Sequence, residues 1–280
     1  PFPGLRSFTQ EEPHLFFGRE GQSDEILRRL EHFGFVAVVG TSGCGKSSLV
    51  RAGLLPALLA GYAVGAGSSW QIVDLHPGGD PLGNLARALH RSGATAALDV
   101  VTLRSASAAV VQAVAQARQE GRLAADANVL LLVDQFEELF RYEARPESAT
   151  ADRDEKARFV ALLLEAARVR AERIFVVLTL RAEFLGDCAQ FRDLPEAINR
   201  GQYLVPRMTR LERRSAIEGP VHVAGAEIAP HLVQRLLNDL GEDPDQLPVL
   251  QNALLRIWGA WVERGEPERE IEFEDYQAVG

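Results

Sequence analysis

An α/β fold, with a parallel β-sheet flanked by helices and a small all-α helical domain after it, is what this sequence predicts. Three observations carry the prediction. Apolar runs of strand length alternate with helical patterns along residues 35–205 of the chain. Those runs are apolar on both faces, as strands covered on both sides of a parallel sheet must be. After Pro206 the strand pattern stops, while helical patterns continue.

In chain order, a helix over 22–32 leads into the strand FVAVV (35–39), and a second helix over 47–60 leads to WQIVDL (70–75). Helices over 81–92 and 105–120 precede VLLLV (129–133), and a helix over 154–171 precedes IFVVLTL (174–180) and QYLV (202–205). Segments 209–218, 230–240 and 246–262 have helical periodicity, with Gly219-Pro220 and Gly241 read as breaks. The expected domains are an N-terminal segment (1–30), a nucleotide-binding domain (31–206) and a lid-like helical domain (207–280).

Composition narrows the function. With 280 residues, 46% hydrophobic and 25% charged, the chain reads as globular, with one large or two modest domains. No apolar run approaches the roughly 20 residues of a membrane helix, and no signal peptide is visible. Two cysteines, Cys44 and Cys188, make no disulfide framework and point to a reducing interior, so a cytoplasmic protein without membrane contact is expected. A net charge of -9 argues against a general nucleic-acid surface. Six histidines without a close His/Cys cluster argue against zinc. The single methionine is Met208, so residue 1 is not an initiator and the chain is expected to be a piece of a longer protein.

Residues 40–47 read GTSGCGKS, the pattern G-x4-G-K-[ST], between a strand and a helix as that motif requires. Gly40, Gly43 and Gly45 allow the backbone to curl with its N–H groups inward at phosphate oxygens, and Thr41, Ser42, Cys44 and Ser48 complete the cradle. Lys46 is one of only two lysines, with Lys156, among 30 basic residues. A compact point charge suits the β/γ phosphates better than an arginine fork, and the side chain is otherwise expected to face solvent. Ser47 would ligate Mg²⁺. The alternative is a plain glycine-rich turn. A dinucleotide fingerprint fits less well, because Ser48 stands where its third glycine belongs. No Asn-Lys pair exists for a guanine motif, so ATP or ADP is the expected ligand.

Asp134 ends the run VLLLV, at the strand end where ligands of open α/β sheets collect, and is the second candidate Mg²⁺ ligand. Its alternative is a helix cap for FEELF. Glu138, then Glu137, are the candidates for orienting or deprotonating water, although either could simply favour a helix N-terminus.

With these motifs placed, the chain resembles the STAND class of P-loop NTPases, relatives of the AAA+ ATPases. More narrowly it resembles the novel STAND NTPase 1 group. PFPGLRSF, LFFGRE, GTSGCGKSSLVRAGLLPAL, LLLVDQFEELF, VVLTLRAEFL, INRGQYLVPRMTR and LPVLQNALLRIW carry the resemblance. It implies that Phe17, Gly18 and Arg19 lie against adenine, where the bare sequence suggests only a turn. It implies that Arg181 senses the γ-phosphate, the alternative being a surface ion pair with Glu183. It implies that Pro248 touches the base, although Gln246 stands where glycine is common. Arg200 is a candidate for an arginine supplied to a neighbouring subunit, with a structural role as its alternative.

Many related ATPases place a glutamate directly after the Mg²⁺ aspartate; here Gln135 fills that place. The resemblance then implies a slow, Mg²⁺-dependent ATPase acting as a signalling switch in bacterial defence or stress. Such a module would self-assemble in its ATP state, with effector and sensor regions fused outside it. The rival expectations are a nucleotide-bound scaffold without useful turnover, and a DNA-acting AAA+ loader.

Overall fold

The structure, a computed structural model, describes residues 1–63, 67–141, 149–240, 246–266 and 269–279. Among these residues the sheet has five strands, all parallel: β1 (Phe35–Gly40), β2 (Trp70–Leu75), β3 (Asn128–Val133), β4 (Ile174–Arg181) and β5 (Gln202–Leu204), in the order β2-β3-β4-β1-β5. Every expected strand is present. β1 and β3 are buried along their whole length, and so is β4 up to Arg181, whereas the edge strands β2 and β5 are only partly covered. That gradient is the reason the central strands read as unbroken apolar runs.

From β1 the chain travels across the sheet to the far edge at β2, and from β4 it travels the other way to β5. In register, Gly40 at the end of β1 faces Arg181 at the end of β4. Helices Pro81–Arg91, Ala149–Arg168 and Leu194–Gly201 pack on β2, β4 and β1 respectively. At Gly201 a Cβ would lie 2.2 Å from the Phe35 carbonyl oxygen, so only glycine lets that helix end approach β1 so closely.

The chain divides into two compact units. One comprises Glu25–Gly40 and Leu58–Leu204, and contains the sheet with its core. The other comprises Pro1–Asp24, Thr41–Ala57 and Val205–Gly280. In this second unit, helices Arg210–Val223, Pro230–Asp239, Leu247–Arg264 and Phe273–Gln277 contribute to an apolar core that includes Ile217, Leu232, Leu236, Leu254 and Trp261.

Several elements differ from expectation. The helix expected over 47–60 is helical, but Leu49–Leu54 adopts π-helical geometry between α-helical Lys46–Ser48 and Leu55–Leu59. Gly53 lies within that stretch, where a Cβ would be 2.3 Å from Ser23 Oγ, so the N-terminal segment presses on the helix there. The helix expected over 105–120 is present as Ala109–Gln119, and an additional short helix, Val100–Ser105, precedes it. The short helix is started by Asp99, whose carboxylate accepts from the Thr102 N–H at 2.6 Å, and Ala106 is extended between the two.

The break expected at Gly219-Pro220 does not occur: helix Arg210–Val223 runs through Pro220. Proline disfavours helix in the residue before it through a clash with that residue's Cβ, and Gly219 has none. A capping box starts this helix, with Thr209 Oγ1 accepting from the Glu212 N–H at 3.2 Å. The other expected break, Gly241, lies outside the described residues.

Candidate functional site

The loop after β1 is built around two left-handed glycines, Gly43 (φ 69°) and Gly45 (φ 93°), a backbone region closed to most side chains. Thr41 and Ser42 are exposed, Cys44 is buried, and Ser47 and Ser48 are half-buried. Lys46 opens the helix that follows. Expected to face solvent, it is only 8% exposed, and its ammonium donates to the Thr41 carbonyl at 2.7 Å. The physical reason is local satisfaction: a cation folded over its own loop must pair with a loop carbonyl. Ser48 Oγ accepts from the Phe8 N–H at 3.2 Å, tying the helix to the N-terminal segment.

That segment is itself held in place. Arg19 is 5% exposed, and its guanidinium donates to the carbonyls of Cys44 and Pro206, each at 2.7 Å, and to Gln22 Oε1 at 3.3 Å. Gly18 (φ 80°) has room only for hydrogen, since a Cβ would fall 2.3 Å from the Glu212 carbonyl oxygen. The Phe17 ring lies over Gly219, where a Cβ would meet ring atoms at 2.5–2.7 Å. Phe17, Gly18 and Arg19 therefore dock on the start and middle of helix Arg210–Val223 and on the loop. Pro248 is half-buried in the first turn of helix Leu247–Arg264, and Gln246, at the N-cap position, makes no side-chain cap.

Beyond β3 the chain turns sharply. Asp134 is 3% exposed, Gln135 is exposed with φ 57°, and Glu137 is 5% exposed. Thr179, buried on β4, donates its hydroxyl to Asp134 Oδ1 at 2.6 Å and accepts from the Gln135 N–H at 2.9 Å. The sequence reading missed Thr179. Its signal was a lone hydroxyl inside the apolar strand IFVVLTL, since a buried polar group requires a partner.

The two glutamates diverge. Glu137 accepts from the Arg181 N–H at 3.3 Å, on the β4 side, while Glu138 accepts from the Gly78 N–H at 2.9 Å, beyond edge strand β2. His76 Nδ1 lies 3.9 Å from Glu138 as well. The Arg181 side chain pairs with Glu183 through Nε at 2.6 Å, and its guanidinium sits 5.9 Å from the centre of the Phe184 ring. This is the ion pair named above as the alternative for Arg181. Arg200 is exposed near the end of its helix. Helix begins only at Glu138, so Asp134 caps no extended FEELF helix.

The sequence profile of the Novel STAND NTPase 1 family matches residues 1–280. The chain belongs to that family. By family it is thus a STAND NTPase, and its similarity to solved structures agrees with the fold described above. It resembles the ORC2 protein of Aeropyrum pernix, described in ADPNP–ADP complexes (14% identity, TM-score 0.61, covering 93% of this chain and 67% of that one). It resembles Cdc6p of Pyrobaculum aerophilum (14%, TM-score 0.62, covering 92% and 65%). It also resembles a chain of the HORMA:CdnC:Trip13 complex of E. coli MS115-1 (14%, TM-score 0.59, covering 98% and 92%). The novel STAND NTPase 1 chain spans about two thirds of the length of the two archaeal proteins. No curated protein matches it. No helix among its described residues is long and apolar enough to cross a membrane.

Proposed function

We propose that this module binds Mg²⁺–ATP, hydrolyses it slowly, and uses the difference between ATP and ADP to set the position of the lid-like residues 207–280. Assembly with further copies in the ATP state, in cytoplasmic defence or stress signalling of a bacterium, completes the reading. The observation that carries it is the loop itself. Two left-handed glycines and a lysine ammonium folded inward follow directly on a buried strand, a geometry suited to phosphate.

Ser47 and Asp134 are the proposed protein ligands of Mg²⁺, and their oxygen donors fit a hard cation. Among the described residues no group of three or more His, Cys, Asp or Glu could hold a metal alone. Magnesium would therefore draw its remaining ligands from phosphate and water. Phe17, Gly18 and Pro248 are assigned to adenine. Arg181 is assigned to the γ-phosphate, which requires it to leave Glu183, and exposed ion pairs are weak enough to be exchanged.

Of the two acids we favour Glu137 as the base, reversing the preference for Glu138. Glu137 reaches toward β4, the neighbour of β1, whereas Glu138 is engaged with Gly78 beyond the far edge strand. Gln135 beside Asp134 favours slow turnover, since an amide cannot take a proton from water.

Titration with a fluorescent ATP analogue tests the loop, with Lys46→Ala expected to lose tight binding while keeping its melting temperature. Phosphate release is then followed over hours, and Glu137→Gln should abolish it more completely than Glu138→Gln. Small-angle scattering with ADP and with a non-hydrolysable ATP analogue reads the switch. Identical profiles at saturation, without turnover, would establish the passive scaffold instead. Salt-sensitive DNA binding would favour the loader, a reading that the net charge of -9 opposes.

A further inference from the structure

The geometry points to Arg19 as the residue that positions the phosphate loop, acting through the Cys44–Gly45 peptide rather than on the base. This rests on the reading of residues 40–47 as a phosphate cradle. A trans peptide is planar, with its carbonyl and N–H pointing in opposite directions, and no described peptide in this chain is cis. Arg19 grips the Cys44 carbonyl at 2.7 Å from the buried side of the loop. The Gly45 N–H of the same peptide is thereby turned the other way, to the side opposite the guanidinium. A Cβ on Gly45 would meet nothing within 4 Å, so the loop is open around that residue. A cradle needs N–H groups inward, so its carbonyls need partners outward, and Arg19 supplies one for Cys44.

The choice of arginine follows from the second contact. The same guanidinium reaches the Pro206 carbonyl at 2.7 Å, and a planar fork holds two acceptors in fixed directions where an ammonium would not. Arg19 thus joins the loop to the residue that leads into helix Arg210–Val223. An arginine lying on adenine would instead present its face or its donors to a ring. Here the guanidinium donates to two backbone carbonyl oxygens, of Pro206 and Cys44.

The test separates phosphate from base. Magnesium tripolyphosphate, a phosphate chain with no adenine, and Mg²⁺–ATP are titrated calorimetrically against the wild type, Arg19→Met, Arg19→Lys and Lys46→Ala. Arg19→Met is expected to weaken both ligands by the same factor, about tenfold, the scale of one lost charged hydrogen bond. Arg19→Lys, which keeps the charge but not the fork, should also lose equally on both and serves if Arg19→Met does not fold. Loss of ATP affinity alone would overturn the proposal and make Arg19 a base contact. Unchanged affinities in a folded Arg19 variant, with Lys46→Ala weakened, would overturn it while leaving the cradle standing. If the wild type binds neither ligand, the cradle reading fails and this proposal fails with it.

Discussion

The Thr179 hydroxyl acts twice within one turn of chain. It donates to the Asp134 carboxyl and accepts from the Gln135 N–H, which sits in a left-handed conformation that a non-glycine residue adopts only when its surroundings hold it there. Thr179→Val keeps the shape and deletes the hydroxyl, taking one hydrogen bond from the buried Asp134 carboxyl and one from the part-buried Gln135 N–H. A destabilisation of about 1–3 kcal/mol is expected, read by urea denaturation, with Thr179→Ser recovering most of it. A serine variant as unstable as the valine variant would show that packing, not the hydroxyl, matters there.

Charge matters at Glu12 in another way. The Arg6 guanidinium, bonded at 2.5 and 2.7 Å, holds the Glu12 carboxyl down from its ordinary 4.5 to about 2. A carboxyl depressed on folding contributes stability above its ordinary value, and loses it as pH falls toward the folded one. The difference in melting temperature between wild type and Glu12→Gln should therefore be full at neutral pH and shrink between pH 4.5 and 2.

At the scale of elements, the contact between Phe17 and helix Arg210–Val223 makes a sign-reversing prediction. Alanine favours a helix over glycine by about 1 kcal/mol, yet a Cβ at 219 would meet the Phe17 ring at 2.5 Å. Gly219→Ala should therefore destabilise the wild type, by about 1–3 kcal/mol, and stabilise a Phe17→Ala background. A double-mutant cycle measured by denaturation gives the coupling directly.

The same helix shows what a sequence reveals and what it withholds. Strands were legible because burial on both faces leaves an unbroken apolar run, as in VLLLV (β3). The helix through Pro220 was not, because its tolerance depends on what Gly219 lacks. Nor was the π-helical stretch Leu49–Leu54, which has no residue signature of its own beyond Gly53. At the candidate site, the glycines, Lys46 and Asp134 were legible from spacing along a short loop and a strand end. The contacts of Arg19 were not legible, because its carbonyl partners lie 25 and 187 residues away in sequence. Periodicity carries no information over such separations.

At the scale of the whole molecule, neither unit is a continuous stretch of chain. The unit holding the loop is assembled from three segments, and the sheet unit from two. All residues of the sheet unit have been passed by Leu204, whereas the helical core needs residues up to Ile271. A chain cut after residue 204 should therefore keep a cooperative urea transition for the sheet unit. One cut after residue 170 should show none, because β4 and β5 are then both missing. Circular dichroism across a urea series distinguishes the two.

The strand order has a consequence for the newborn chain. Of the five strands β1 leaves the ribosome first, and both of its hydrogen-bonded neighbours, β4 and β5, come last. Between Gly40 and Ile174 lie 174 − 40 − 1 = 133 residues of further synthesis, which at typical elongation rates takes roughly 7 to 27 seconds. Throughout that interval FVAVVG is an apolar strand with two unpaired edges. It is the segment most in need of a holding chaperone, and the one from which misassembly between neighbouring nascent chains would start.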